Sequence, residues 1–151
     1  METAVDLLAD PAPEARAAAV RALAGSGSPA APLLLRLKAR LGDARAEVTG
    51  ECLTALLWLD WRSALPLALE HLDGPDTEAA AAAALALGEA KTPEGFGVLR
   101  ARLPDSPIRP TLLMAIALLR SDEALMFLRE LAAARDRDAL AALKLYDNPA
   151  R

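Results

Sequence analysis

Apolar residues recur at intervals of three or four positions through most of the chain, and Gly, Pro, Asp and Ser interrupt the pattern. Ala15, Ala19 and Leu23 fall on one face of a helix, and Val48 and Cys52 repeat the arrangement further on. Residues with this spacing share one side of an α-helix. The apolar content consists mainly of alanine and leucine, with little valine or isoleucine, which disfavours a β fold. The pattern therefore predicts a series of amphipathic helices.

The helical segments are of two kinds, and the two kinds alternate. The first begins with an Asp and ends near an Ala-Leu pair, at residues 10–25, 43–56, 76–88 and 105–118. The second begins near a Pro, Ser or Asp and ends on spaced leucines, at residues 29–41, 63–72, 93–103 and 122–131. This alternation predicts four helical hairpins. A single hairpin cannot bury its own apolar face, so neighbouring hairpins must stack and share a core.

We therefore predict one all-α domain over residues 1–151, an α-solenoid of stacked antiparallel helical hairpins. Its repeats span residues 10–42, 43–73, 74–104 and 105–135. Residues 1–9 are predicted to cap the N-terminal end, and residues 136–151 to form a terminal half repeat. The face of that half repeat formed by Leu140, Leu143 and Tyr146 is expected to be half covered. Residues such as Ser63 and Ser121 are predicted to cap the helices that follow them.

Residues 10–23 read Asp-Pro-x-Pro-Glu-x-Arg-x-Ala-Ala-x-x-Ala-Leu. This pattern resembles the HEAT repeat, in the short bacterial form also called the phycobilisome-lyase-type repeat, and the resemblance covers nearly the whole chain. It implies a right-handed superhelix whose second helices line a concave surface. The family includes scaffolds, adaptors and lyase components, so the resemblance implies binding but no particular reaction. Ala80 replaces the arginine that the first repeat has at Arg16, so a ladder of Asp–Arg pairs is expected to be interrupted.

The charge of the chain limits its expected partners. Lys and Arg number 17 against 21 Asp and Glu, a formal net charge of −4. This net charge repels polyphosphate and anionic lipid, so neither nucleic acid nor a membrane is an expected partner. Uninterrupted apolar runs are too short to span a membrane, and Asp6 and Asp10 stand where an export signal carries positive charge. Together with the single cysteine, these features predict a cytoplasmic protein.

Residues that could carry catalytic or metal chemistry are few. His71 is the only histidine and Cys52 the only cysteine, too small a ligand set for a zinc or di-iron site. Gly95-Phe96-Gly97 lacks the preceding strand of a phosphate-binding loop. We expect no cofactor, no metal and no enzymatic activity. Cys52 is predicted to be a small buried hydrophobic residue.

Trp58 and Trp61 are the first candidate for partner binding. They fall at the predicted turn of the second hairpin, in a chain with only 3% aromatic residues. They either fill a gap between two helices or form an exposed aromatic anchor, a residue type favoured at binding hot spots. Both interpretations remain open at the level of the sequence.

A column of charged residues on the second helices is the other candidate. Aligning these helices on Leu37, Leu69, Leu99 and Leu128 gives a mainly basic stripe, formed by Lys38, Glu70, Arg100 and Arg129 with Arg36, Arg40 and Arg102 close by. The stripe is either a solvated face whose side-chain stems cover apolar surface or a ladder of arginines that binds an acidic protein segment.

These patterns favour a non-catalytic scaffold or adaptor that binds a protein partner through a curved helical surface. Two alternatives stay open. One is an enzyme or enzyme subunit that depends on Asp60 and Trp61, either DNA glycosylase-like or a phycobilin lyase-like component. The other is an assembly element that associates end to end with further copies through its C-terminal helix.

Overall fold

The computed structural model describes residues 3–148, which form nine α-helices. The helices are α1 Ala4–Leu7, α2 Pro13–Gly25, α3 Ala31–Leu41, α4 Ala46–Leu72, α5 Thr77–Glu89, α6 Gly95–Ala101, α7 Arg109–Leu119, α8 Asp122–Ala133 and α9 Arg137–Asp147. Strands are absent from this described range, which confirms the all-α prediction. Residues 1, 2 and 149–151 belong to the predicted cap and half repeat and lie outside the described residues.

Polar side chains in the turns start several helices. The Asp76 carboxylate accepts hydrogen bonds from the N–H groups of Glu78 and Ala79 at the start of α5. The Ser121 hydroxyl accepts one from the Ala124 N–H at the start of α8. These bonds satisfy N–H groups that have no partner inside the first helical turn. The predicted cap at Ser121 is confirmed.

The helix α4 joins the two helices of the second repeat across a kink. Asp60 has non-helical backbone angles, φ −159° and ψ 90°. Its carboxylate accepts a hydrogen bond from the Ser63 N–H at 3.4 Å. Asp60 is therefore the cap of the second half of α4, and the prediction that Ser63 has this role is wrong.

The helix α4 also passes the length and composition test for a membrane-spanning helix, alone among the described helices. The sequence prediction considered only uninterrupted apolar runs and divided this stretch at the tryptophans, so it overlooked the helix. However, 56% of its most apolar window is buried inside the protein. Core helices of water-soluble proteins pass the same test, and the packing of α2, α3 and α5 on α4 agrees with such a role.

The helices form two series along the chain. The first series is α2, the N-terminal half of α4, α5, α7 and α9, which contact one another in that order. The second series is α3, the C-terminal half of α4, α6 and α8, joined by side-chain contacts from each helix to the next. One continuous hydrophobic core, from Leu8 to Ala142, connects both series.

Small residues allow the helices of the first series to approach one another closely. A Cβ atom at Gly88 of α5 would lie 2.4 Å from the carbonyl oxygen of Ala115 in α7. A Cβ atom at Gly50 of α4 would lie 3.2 Å from the Cβ of Ala82 in α5. Both distances are shorter than ordinary van der Waals contact, so these interfaces are packed to the limit that glycine allows.

Buried or half-buried ion pairs connect first helices of neighbouring repeats. The Asp43 side chain is 3% exposed and accepts a hydrogen bond from Arg16 at 2.7 Å. This bond is the largest influence that holds the pKa of the Asp43 carboxyl well below its usual range. Arg109 pairs with Asp136 of the following repeat in a similar way. The third repeat has Ala80 at the arginine position, and within residues 3–148 it adds no such pair.

Candidate functional site

The outer face of α3 carries three exposed leucines. Leu33, Leu37 and Leu41 are 71%, 53% and 76% exposed. Their i, i+4, i+8 spacing places them along one side of the helix over about 12 Å. These three residues are named the leucine ridge. The opposite face of α3 has the same spacing and is buried, through Ala31, Leu35 and Ala39.

The exposure of the ridge leucines shows that the sequence alignment behind the predicted basic stripe has the wrong register. The sequence alignment treats Leu37 as the equivalent of Leu99, which is fully buried. In α3 the fully buried leucine is Leu35 instead. In the second repeat the fully buried leucine is likewise Leu67 and not Leu69, so the alignment is wrong by two positions in the first two repeats. Arg36, and not Lys38, is the residue that follows the buried leucine.

Several charged residues of the predicted stripe pair within the chain. Arg40 of α3 donates to Glu70 of α4 at 3.2 Å, and Arg102, directly after α6, donates to Asp73, directly after α4, at 2.5 Å. Lys38 lies 2.8 Å from the buried carboxylate at the start of the second repeat. The Arg102 hydrogen bond also holds the pKa of Asp73 below its usual range. These pairs join neighbouring helices and reduce the positive charge that the stripe presents to a partner.

Arg36, Arg100 and Arg129 are the members of the stripe that have no carboxylate partner within residues 3–148. The guanidinium carbon of Arg100 lies 5.2 Å from the ring centroid of Phe127 and 5.9 Å from that of Phe96. The two rings meet edge to face, 5.6 Å apart. Arg100 is thus held above an aromatic pair, and its charge stays available to an anionic group.

The two tryptophans have different environments on either side of the α4 kink. Trp58 is 66% exposed, whereas Trp61 is half-buried and packs against the core. The Arg62 guanidinium carbon lies 4.7 Å from the Trp61 ring centroid. The gap-filling interpretation therefore describes Trp61, and the exposed-anchor interpretation describes Trp58.

Trp58 forms one wall of an apolar groove between α2 and α4. The groove has a volume of about 340 Å³ and is lined by Arg21, Ala24, Gly25, Glu51, Ala55, Trp58 and Leu59. Arg21 and Glu51 pair across its rim at 2.9 Å. A groove of this size accommodates one large apolar side chain. Because Arg21 and Glu51 neutralise each other at its rim, the groove favours neither an acidic nor a basic ligand.

The C-terminal helix α9 is partly covered, in agreement with the prediction that the face formed by Leu140, Leu143 and Tyr146 is half covered. Leu143 and Tyr146 pack partly against the core. The Arg120 guanidinium carbon lies 4.6 Å from the Tyr146 ring centroid, and its N–H donates to the Tyr146 carbonyl oxygen at 2.9 Å. Leu140 is the exposed member of this face, at 44%.

Cys52 and His71, the residues considered for catalytic or metal chemistry, lie buried or half-buried in α4. Cys52 is fully buried, and burial raises the pKa of its thiol to about 12. The prediction that Cys52 is a buried hydrophobic residue is confirmed. His71 is half-buried near the end of α4. Across residues 3–148, no three His, Cys, Asp or Glu side chains are grouped so as to hold a metal ion.

Comparisons with protein-family models, with characterised proteins and with solved structures found no match. The HEAT-like interpretation therefore depends on the residues and helix contacts of this chain alone. A function has to be argued from the exposed surface that those helices create.

Sequence analysis missed the leucine ridge as a candidate site. A signal for it does exist, because α3 has apolar residues at i, i+4 and i+8 twice, in two sets offset by two positions. An ordinary amphipathic surface helix has one such set. A helix with two sets either is covered on both sides or leaves one set exposed, and α3 leaves one exposed.

Proposed function

We propose that this chain is a protein-binding module without catalytic activity, built as an α-solenoid of HEAT-like hairpins. Helix contacts support this architecture, since the first helices pack in chain order and the second helices follow the same order. The pairs Arg16–Asp43 and Arg109–Asp136 connect neighbouring repeats in a similar way. Proteins of this architecture bind partners along the extended surface of the stack.

The leucine ridge is the observation that carries the binding role. Each helix of the second series fully buries one leucine in the core, at Leu35, Leu67, Leu99 and Leu128, but α3 has three further leucines that are more than half exposed. Burying one leucine side chain contributes about 1.5–3 kcal/mol relative to leaving it exposed. The exposed parts of the three ridge leucines together amount to about two leucine side chains, so a partner that covers the ridge gains about 3–6 kcal/mol before the cost of association is counted. Contiguous apolar patches of this kind mark interaction sites.

The position of α3 makes the ridge a preformed surface. Arg40 joins α3 to Glu70, and Arg36 donates to the Ser63 hydroxyl at 2.8 Å. The buried face of the same helix is fixed in the core around Leu35. A partner therefore finds the leucines already in place, and binding requires little ordering of the backbone.

A pull-down from native lysate tests this proposal. The purified full chain is compared with a Leu33→Ser/Leu37→Ser variant, which should keep its helical circular dichroism because both side chains are exposed. Met126→Ser is a matched control, since Met126 is 64% exposed on α8. We expect proteins retained by the wild type to be lost by the ridge variant and kept by the control. Equal retention by all three chains would contradict a binding role for the ridge.

The same pull-down tests two of the remaining cations of the stripe. An Arg100→Glu/Arg129→Glu variant reverses both charges without touching an ion pair of the described residues. Reduced retention at low salt, with a smaller effect at moderate salt, would show that these arginines contact an acidic segment. Unchanged retention at low salt would identify them as part of a solvated face.

End-to-end association is a second candidate, favoured by the exposure of Leu140 on α9. Sedimentation over a range of concentrations measures it directly. Association that disappears in a Leu140→Glu variant would support an assembly role through this helix. A monomer at every concentration would exclude it.

A further inference from the structure

The shape of the leucine ridge matches an α-helix. The inner face of α3 repeats at i, i+4 and i+8 and is covered by helices α2 and α4. The ridge repeats with the same spacing on the outer face, from Leu33 to Leu41, over about 12 Å or two helical turns. Rows of side chains spaced by four residues pack into the grooves of a neighbouring helix. A helix lying along α3 would therefore cover the outer face as its neighbours cover the inner one.

The charges on the ridge helix and beside it are predominantly positive. α3 contains Arg36, Lys38 and Arg40 and no acidic residue. Lys38 and Arg40 have carboxylate partners, whereas Arg36 donates only to the hydroxyl and carbonyl oxygens of Ser63. Arg62, the residue before Ser63, stacks on an indole ring and has no carboxylate partner in the described part of the chain. Two guanidinium groups therefore keep their charge uncompensated, that of Arg36 on α3 and that of Arg62, whose chain neighbour Ser63 binds Arg36.

We propose that the leucine ridge binds an amphipathic helix of a partner protein, with Asp or Glu residues beside its apolar stripe. This inference rests on the proposed function and specifies the chemistry of the partner. The apolar stripe covers the three leucines, as in other complexes where a helix binds an apolar surface. The carboxylates pair with Arg36 and Arg62, whose planar guanidinium groups suit two-point hydrogen bonding.

Two other occupants fit the ridge less well. A second copy of this chain offers the acidic helix α8, with Asp122, Glu123 and Glu130, but Leu128 is buried there and Met126 is the exposed large apolar residue. One methionine cannot cover a ridge of three leucines. An anionic membrane would meet a chain of net charge −4, which opposes adsorption.

Three synthetic helical peptides test the inference by fluorescence anisotropy with the full-length chain. The first has leucines at i, i+4 and i+8 with glutamates beside them. The second replaces every glutamate by lysine, and the third scrambles the first so that the leucines share no face. We expect the acidic peptide to bind at least about tenfold more tightly than the other two, and its affinity to fall with added salt.

Point variants locate the binding site. Leu37→Ser should lower the affinity for the acidic peptide by about tenfold, the loss expected when one leucine that is buried at an interface is removed. Arg36→Gln should weaken its binding by a few-fold and reduce the salt dependence. Arg137→Gln, at an exposed arginine of α9 outside the stripe, is the control and should change neither. Circular dichroism and thermal melting confirm that each variant is folded.

Each remaining outcome overturns the inference. Equal binding of the lysine peptide would remove the preference for acid, and equal binding of the scrambled peptide would remove the requirement for a helical face. If no peptide binds while the pull-down still depends on the ridge, the acidic helix is wrong and the proposed function stands. If the chain floats with anionic vesicles and Leu37→Ser abolishes this, the ridge binds a membrane. If the chain forms concentration-dependent dimers and Leu37→Ser abolishes them, the ridge binds a second copy.

Discussion

Replacing Gly88 by alanine should destabilise the protein, although alanine is the better helix former. A Cβ atom there would lie 2.4 Å from the Ala115 carbonyl oxygen and 3.0 Å from the Ala115 Cα. These are backbone atoms of α7, so no change of side-chain rotamer relieves the contact and the two helices must separate. Overpacking of this kind costs about 1–3 kcal/mol, and helix propensity returns at most about 1 kcal/mol. We expect a net loss of about 1–2 kcal/mol in the free energy of unfolding.

Two further glycines provide a graded comparison. A Cβ atom at Gly97 of α6 would have no atom within 4 Å, so Gly97→Ala should gain about 0.5–1 kcal/mol from helix propensity. A Cβ atom at Gly50 would lie 3.2 Å from the Cβ of Ala82 and 3.5 Å from its carbonyl oxygen, and a small helix displacement relieves these contacts. The expected order of stability is therefore Gly97→Ala, then Gly50→Ala, then Gly88→Ala.

Urea unfolding followed by circular dichroism measures all three variants. Gly88→Ala should lower the midpoint without changing the slope m, because the surface exposed on unfolding stays the same. In thermal melting, each kcal/mol should shift Tm by about 2–4 °C for a chain of this size. A Gly88→Ala variant as stable as the wild type would refute the close approach of α5 and α7. So would an order in which Gly97→Ala is the least stable.

Three other predictions concern single side chains. Asp43→Asn should cost about 2 kcal/mol because it leaves Arg16 without its buried partner. The pKa of Asp43 is lowered in the folded state, so its contribution is complete above the unfolded-state pKa, about 4. That contribution is lost as the pH falls, and urea unfolding should show a smaller acid-induced loss of stability in Asp43→Asn than in the wild type. Cys52, with its thiol pKa raised to about 12, should react with iodoacetamide at neutral pH only as fast as the protein unfolds, and rapid labelling of the native chain would contradict its burial. Lys91 has a left-handed φ of 50°, so Lys91→Gly should raise the melting temperature by relieving about 1 kcal/mol of strain, and a lower one would contradict this.

The helices could be predicted from the sequence because their signals are local. Spaced alanines and leucines predict helical faces, and the Asp76 and Ser121 side chains mark two helix starts that the structure confirms. The predicted turn of the second hairpin, at Trp58 and Trp61, contains Asp60, where the backbone leaves the helical conformation. The sequence did not show that this turn is a kink without a connecting loop, because packing decides how sharply the chain bends. The Asp60 carboxylate accepts a hydrogen bond from the Ser63 N–H, so the cap lies three residues before the Ser63 position that the sequence predicts.

The candidate site could be predicted less well, because it depends on which side of a helix its neighbours cover. The residues Leu35 and Leu37 are chemically identical, and the helical period alone does not say which one faces the core. The same limit applies to Arg40 and Arg102, whose partners Glu70 and Asp73 come from neighbouring helices. A sequence shows the charges in order along the chain, but pairing between repeats requires the distance from one helix to the next.

Under the proposed function, stability and binding depend on different residues in the two series of helices. Around Gly88 and Ala115 the first series has no space left for a further atom, so a substitution there acts on the separation of helices and hence on stability. The ridge residue Leu37 is 53% exposed, so its replacement should mainly weaken the binding of a partner that covers α3. Gly88→Ala should therefore lower the unfolding midpoint and leave the affinity for the acidic peptide unchanged below the transition, and Leu37→Ser should do the reverse. A Gly88→Ala variant that also lost the peptide would show that the ridge depends on the spacing of the first series, and the two roles would then be coupled through the core.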